Sequence, residues 1–226
     1  GKTRRGQDMC NRKTVLVITV LMLALQSAAL TGCGQEKQEE MSSVSISKEG
    51  EVTHRIVGAF DQSYYDLQGL QTLADERVEE YRGEHGDKSV VLESLEEKDG
   101  TVSIKMGYES VEDFAGFNHR DFFSGKIDEA VAAGYELDHV ALISMDNKPF
   151  EPGDIEGIDE MHVVVIETAP NEELRVTVPG KIRYINQSAD SLATVTVTDK
   201  KTITIQGHAA SQDGEETENV YSYILY

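Results

Sequence analysis

Three groups of side chains in this sequence could carry chemistry, and their spacing tests each one. The first is acidic. Asp154, Glu156, Asp159 and Glu160 fall in one loop, and Asp213, Glu215 and Glu216 in another. Calcium takes oxygen ligands of this kind, and a carboxylate pair at the right separation would hydrolyse a glycosidic bond. Neither run has the D-x-D-x-D-G order of a calcium loop, so solvated acidic loops are the plainer account. The second group is imidazole: His54, His85, His119, His139, His162 and His208. None stands at the helical spacing that binds zinc. His54 shares strand parity with Val52 and Ile56, which makes it either a buried pH-sensing group or a satisfied strand-end histidine. The third group is aromatic. Tyr108, Phe114, Phe117, Phe122, Phe123 and Tyr135 lie within 28 residues. They are the candidate ligand-binding residues, lining an apolar pocket or groove under short helices. Core packing of the same helices is the competing account.

Other motifs are incomplete. His119-Arg120-Asp121 spells the opening of a kinase catalytic loop, but Lys126 stands where that loop needs Asn. No Gly-rich phosphate loop and no G-x-S-x-G elbow accompanies it. The chain has no Trp, which weakens a sugar-stacking platform. No catalytic residue, metal ligand or cofactor is assigned, and the chain is not expected to be an enzyme.

The two cysteines, Cys10 and Cys33, bear on location. Residues 1–32 carry Lys2, Arg4, Arg5, Arg12 and Lys13 against one acid, Asp8. Val15 to Leu25 follows as an apolar core with Thr19 its only polar residue. This is the layout of a secretory signal, and the core is shorter than the roughly 20 residues of a membrane span. The run ends in Leu30-Thr31-Gly32-Cys33, which resembles the lipobox of bacterial lipoproteins. That resemblance implies a diacylglyceryl group on the Cys33 thiol and cleavage before it. Two acyl chains anchor a soluble domain stably. Met9-Cys10-Asn11-Arg12-Lys13 is the expected natural start, with residues 1–8 either an upstream extension or the product of a wrongly assigned start.

Without residues 1–32, Lys plus Arg falls from 21 to 16 and Asp plus Glu from 41 to 40, leaving a charge of −24. Such a domain is repelled by nucleic acid, whose binding needs phosphates neutralised. It also avoids anionic headgroups, and no basic cluster in the sequence offsets this. With Cys33 acylated the domain holds no thiol, so it must rely on a hydrophobic core and cannot use cysteine chemistry.

The elements that must position these groups read as follows. Residues 33–42 are a polar tether and folding starts at Ser43. Val44 to Ile56 is a hairpin turning at Lys48–Gly50. A helix runs from about Tyr64 to Arg82, with Ser63 and Asp66 as its capping box. Val90 to Leu95 and Thr101 to Tyr108 form a hairpin about Asp99-Gly100. Ser110 caps a helix to about Asn118, and a second short helix spans Lys126 to Ala133. The class is α+β: an antiparallel β-β-α-β-β-α layer over 43–139, then a strand-rich part over 140–226. In that second part Met161 to Thr168 is a continuous apolar run that reads as a central strand. Val220 to Tyr226 is a terminal strand whose exposed edge could receive a partner.

The succession of hairpin, helix, hairpin, the helix "YESVEDFAGFN" and the ending "VTVPGKIRYINQ…TVTVTDKKTITI" resembles the LppM-like lipoprotein domain of Gram-positive bacteria, over about residues 43–226. The resemblance implies an exported, non-enzymatic domain that binds lipid or glycolipid, and it transfers no catalytic residues. The expectation is a protein on the outer face of the bacterial cytoplasmic membrane, held by its N-terminal lipid. It would bind an apolar ligand or an envelope protein. A carboxylate- or calcium-dependent hydrolase and a structural assembly subunit are the alternatives.

Overall fold

The computed structural model describes residues 41–138, 140–186, 193–208 and 220–226. The expected signal segment, Cys33, the expected tether as far as Glu40, His139, and the acids Asp213, Glu215 and Glu216 lie outside the described residues. Among the described residues no helix is long and apolar enough to cross a membrane.

The class is α+β, with more strand than helix. Strands β1 (Ser43–Ile46) and β2 (Val52–Ala59) form the first hairpin, with Val44 opposite His54. Its turn is held by the Ser47 hydroxyl, which accepts from the N–H groups of Glu49 and Glu51. Helix α1 (Leu67–His85) starts later than the capping-box reading placed it. Tyr65 N–H bonds to Gln62 O, so Ser63 is consumed in a turn, and the Asp66 carboxylate caps by accepting from Gln68 N–H. Strands β3 (Val90–Lys98) and β4 (Thr101–Tyr108) meet at Asp99-Gly100, both at positive φ, the geometry that an Asp-Gly hairpin supplies. Helix α2 (Val111–Asn118) opens on Ser110, whose hydroxyl accepts from Asp113 N–H at 3.0 Å.

The next segment differs from two helices joined by a loop. A strand, β5 (Phe122–Lys126), intervenes, and α3 is confined to Ile127–Ala132. Phe122 and Phe123 are the reason. Successive strand residues face opposite ways, so extended backbone buries one ring on each side of a sheet. The remaining strands are β6 (Leu142–Ser144), β7 (Pro149–Phe150), β8 (His162–Thr168), β9 (Glu173–Thr177), β10 (Tyr184–Asn186), β11 (Ala193–Val197), β12 (Thr202–Gly207) and β13 (Val220–Leu225).

Two sheets result. One has the order β11-β12-β9-β1-β2-β4-β3, the other β5-β8-β13-β10-β6-β7. Sheet membership crosses the chain: β9, β11 and β12 join the N-terminal hairpins through a parallel β1–β9 pair, while β5 pairs with β8. Strand β8 shows how the layers stack. Val164 and Ile166 pack with Val44, Ile104 and Val176 of the first sheet, whereas Val163 and Val165 pack with Ile127, Ala130 and Met161 on the other side. Both faces are buried, which is why "HVVVIET" is apolar without alternation.

Candidate functional site

The second sheet divides the six candidate aromatics. Tyr108, Phe114, Phe117 and Phe122 are buried in the core between the sheets and under α2. Their rings meet edge to face, Phe114 lying 5.3 Å from Tyr108 and 4.9 Å from Phe122. The Tyr108 hydroxyl accepts from Asn118 Nδ2 at 3.1 Å, and burial pushes its pKa up. Phe123 and Tyr135 stand on the opposite face, 5.5 Å apart and half-buried, with Tyr221 beyond them. The six therefore do not line one space. Their nearness in sequence came from a turn of chain around a sheet edge.

The tripeptide His119-Arg120-Asp121 occupies the junction between α2 and β5, and each side chain holds a different element. His119 closes α2 in the left-handed conformation and its Nε2 accepts from Arg77 of α1 at 2.9 Å. Arg120 donates to the buried Glu172 carboxylate at 2.7 Å, while Glu172 also accepts from Ala169 N–H. Asp121 accepts from the Tyr221 hydroxyl of β13 at 2.5 Å, and its N–H donates to Glu167 of β8. The Asp121 hydrogen bond, then burial, raises the Tyr221 pKa. These bonds tie α1, the β8–β9 turn and two central strands to one loop. Together the three side chains act as a clamp between these elements.

The acidic loop is dispersed. Asp154, Glu156, Asp159 and Glu160 are all exposed, Asp154 on the 3-10 turn Pro152–Asp154, Asp159 and Glu160 on the turn Ile158–Glu160, and Glu156 between them. Glu160 is 3.7 Å from Lys126 Nζ. Among the described residues no group of three His, Cys, Asp or Glu side chains could hold a metal ion. The turns expose the carboxylates because Pro152 and Ile155 take the buried positions.

The fold suppresses the titration of His54. Its ring packs 5.1 Å from Phe114, and among the described residues its Nδ1 is sealed from solvent without a hydrogen-bond partner. Burial, and secondly the charge of Arg120, push its pKa down to about 3. The sign follows: the folded state holds His54 neutral, while the unfolded chain takes up a proton below its ordinary value near 6.5. Stability is complete above about pH 6.5 and drains away as pH falls toward 3, by about 2 kcal/mol at about pH 5. Urea unfolding of wild type and His54→Leu at about pH 7.5 and pH 5 measures it, and the variant should lose that much less on acidification. Equal losses would place the acid sensitivity on other groups.

Sheet edges supply a different kind of site. The terminal strand β13 is not one of them. It pairs with β8 along its length and with β10 at Tyr184 and Ile185, and its last four residues are buried. The apolar "VYSYILY" thus marks a central strand, which corrects the reading of an exposed partner-binding end. Among the described residues four strands form edges. β3 carries Glu93, Glu96, Glu97 and Lys98 and a bulge between Leu92 and Ser94. β7 is two residues long and contains Pro149. β5 is short and contacts α2 and α3. Those are the usual protections of an edge. β11, "ATVTV", has no charge, proline or bulge.

Beside β11 lies a groove of about 330 Å³ between the two sheets, lined by Ile143, Met145, Ile185, Val195 and Val197 among others. Met145 and Val197 are each 38% exposed there. The turn after β11 carries a basic cluster that the sequence reading did not find. Ile182 N–H bonds to Lys200 O and Lys201 Nζ to Pro179 O, so "PGKIR" and "DKK" lie together. Lys181, Arg183, Lys200 and Lys201 are all exposed at this end. The pairing of two loops some twenty residues apart was the missing information. Compared with known protein families, curated proteins and solved structures, the chain matches none.

Proposed function

We propose that the protein is a lipid-anchored, extracytoplasmic binding or interaction domain that works without catalysis. The observation that carries the anchor is the run of basic flank, apolar core, Leu30-Thr31-Gly32 and Cys33, followed ten residues on by the first strand at Ser43. A polar stretch of that length lets a folded domain stand clear of the membrane that holds it. The architecture is read as a β-β-α-β-β-α layer completed by a strand-rich C-terminal part, a scaffold for surfaces rather than for a deep catalytic cleft. Of the possible occupants, an envelope protein fits better than a lipid. Four of the six candidate aromatics are spent on the core, where they cannot line a lipid pocket.

The test is metabolic labelling with a palmitate analogue. The wild-type chain should be labelled and shortened by its signal segment, and Cys33→Ala should be unlabelled and uncleaved. Wild-type protein that is exported without label would remove the anchor.

A further inference from the structure

We infer that β11 is a self-association edge, through which a second copy of this chain extends the seven-stranded sheet antiparallel across a two-fold axis. The inference goes beyond the anchoring of Cys33 and does not require it.

The backbone makes the case first. Thr198 N–H donates to Thr202 O, which closes the β11–β12 hairpin. Antiparallel ladders alternate, so Thr196 and Thr194 continue the bonding to Thr204 and Gln206. The N–H and C=O groups of Ala193, Val195 and Val197 then point to the outer side. Among the described residues no hydrogen bond to them is found. A strand edge with such groups and no protecting charge or proline is a template for another strand.

The sequence of the edge favours an identical partner. Thr194-Val195-Thr196 reads the same in both directions. An axis at Val195 sets Val195 against its own copy and each Thr194 against the other copy's Thr196. These are β-branched and threonine cross-strand pairs, which stabilise sheets. Such an interface is isologous, as in most homodimers. The added strand also extends the floor of the groove, where Met145 and Val197 are exposed.

Electrostatics permit it at this edge. The chain carries −20 overall, and two copies repel wherever their acids face. Lys181, Arg183, Lys200 and Lys201 surround the β11 turn, with Asp199 the acid among them. The acidic β3 edge would bring like charges together.

Cysteine cross-linking of the full-length chain tests the proposal. A Thr194→Cys/Thr196→Cys variant sets cysteines opposite each other across the axis, where Cα atoms of a non-hydrogen-bonded pair lie about 4.5 Å apart and can form disulfides. A non-reducing gel should show a band at twice 25.0 kDa, above the background of Cys10 and Cys33. Adding Val197→Pro should reduce that band about tenfold, because it removes an outward N–H while leaving the β12 ladder intact. Unchanged circular dichroism and thermal unfolding would show that this variant folds. Absence of the band overturns the inference, whether the cysteines react with a thiol reagent (an open edge without a partner) or do not (an edge covered by the chain itself). A band that Val197→Pro leaves unchanged overturns it as well.

Discussion

Replacing Phe114 by alanine is expected to cost the domain about 3–5 kcal/mol, the range for truncating a buried phenylalanine. Phe114 is 0% exposed. Its ring lies 5.1 Å from His54, 5.3 Å from Tyr108 and 4.9 Å from Phe122, each contact edge to face. Those neighbours come from β2, β4 and β5, all parts of rigid sheets, so they cannot close over the space the ring leaves. A domain of this kind has about 5–15 kcal/mol in total, and the loss would be plain in urea unfolding. The result also decides what the aromatic segment is for. A loss below about 1 kcal/mol would mean that the site relaxes freely, as the wall of a ligand pocket can and a close-packed core cannot. Phe123→Ala is the matched control. It removes the next ring along the strand, half-buried on the other face, and should cost about 1–2 kcal/mol. A second readout comes from His54. Space beside its ring admits solvent, so the Phe114→Ala variant should be less acid-sensitive than wild type in addition to being less stable.

Local chemistry was legible in the sequence where one element decides its own form. Asp99-Gly100 supplied a turn with both residues at positive φ, and Ser110 capped the helix it precedes. The apolar run read at Met161 to Thr168 became the strand His162–Thr168, whose Val163 to Ile166 are buried on both faces. Errors arose where the deciding partner was distant. Phe122-Phe123 reads as one apolar patch, yet its meaning depends on β8, some forty residues on, which makes it a strand and separates the rings. The final strand looked like an edge because it is last in the chain, but β10 had already been laid beside its place. The basic cluster is divided between two loops whose contact only the β9–β12 pairing creates. β11 shows the same limit from the other side. Its alternation was visible, but that it stands at an edge among the described residues follows from the order of all seven strands.

The Arg120–Glu172 pair should show the other large effect. Arg120→Ala is expected to lose about 3–5 kcal/mol, because it leaves a buried carboxylate without its cation. Glu172 is 7% exposed at its side chain and Arg120 20%. The carboxylate is fixed on its far side as well, where Oε2 accepts from Ala169 N–H at 2.9 Å and the Glu172 carbonyl accepts from Gly207 N–H at 2.7 Å. It therefore cannot swing out to water without breaking the turn between β8 and β9. Glu172→Gln should be milder, about 1–2 kcal/mol, since the amide oxygen can still accept from Ala169 and the guanidinium that loses its carboxylate is 20% exposed and keeps some contact with water. The informative variant is Arg120→Met with Glu172→Gln. If the cost of Arg120 replacement is mainly a stranded charge, the double variant should recover about half of the single loss. Additive losses would mean instead that the guanidinium acts through its packing at the α2–β5 junction. His54 gives an independent check, because the Arg120 charge is the second cause of its lowered pKa. Losing that charge lets the His54 pKa rise toward its ordinary value, so Arg120→Met should soften the acid sensitivity even as it lowers stability at neutral pH. Only an electrostatic role moves both readouts in those directions, and unchanged acid sensitivity would confine Arg120 to packing.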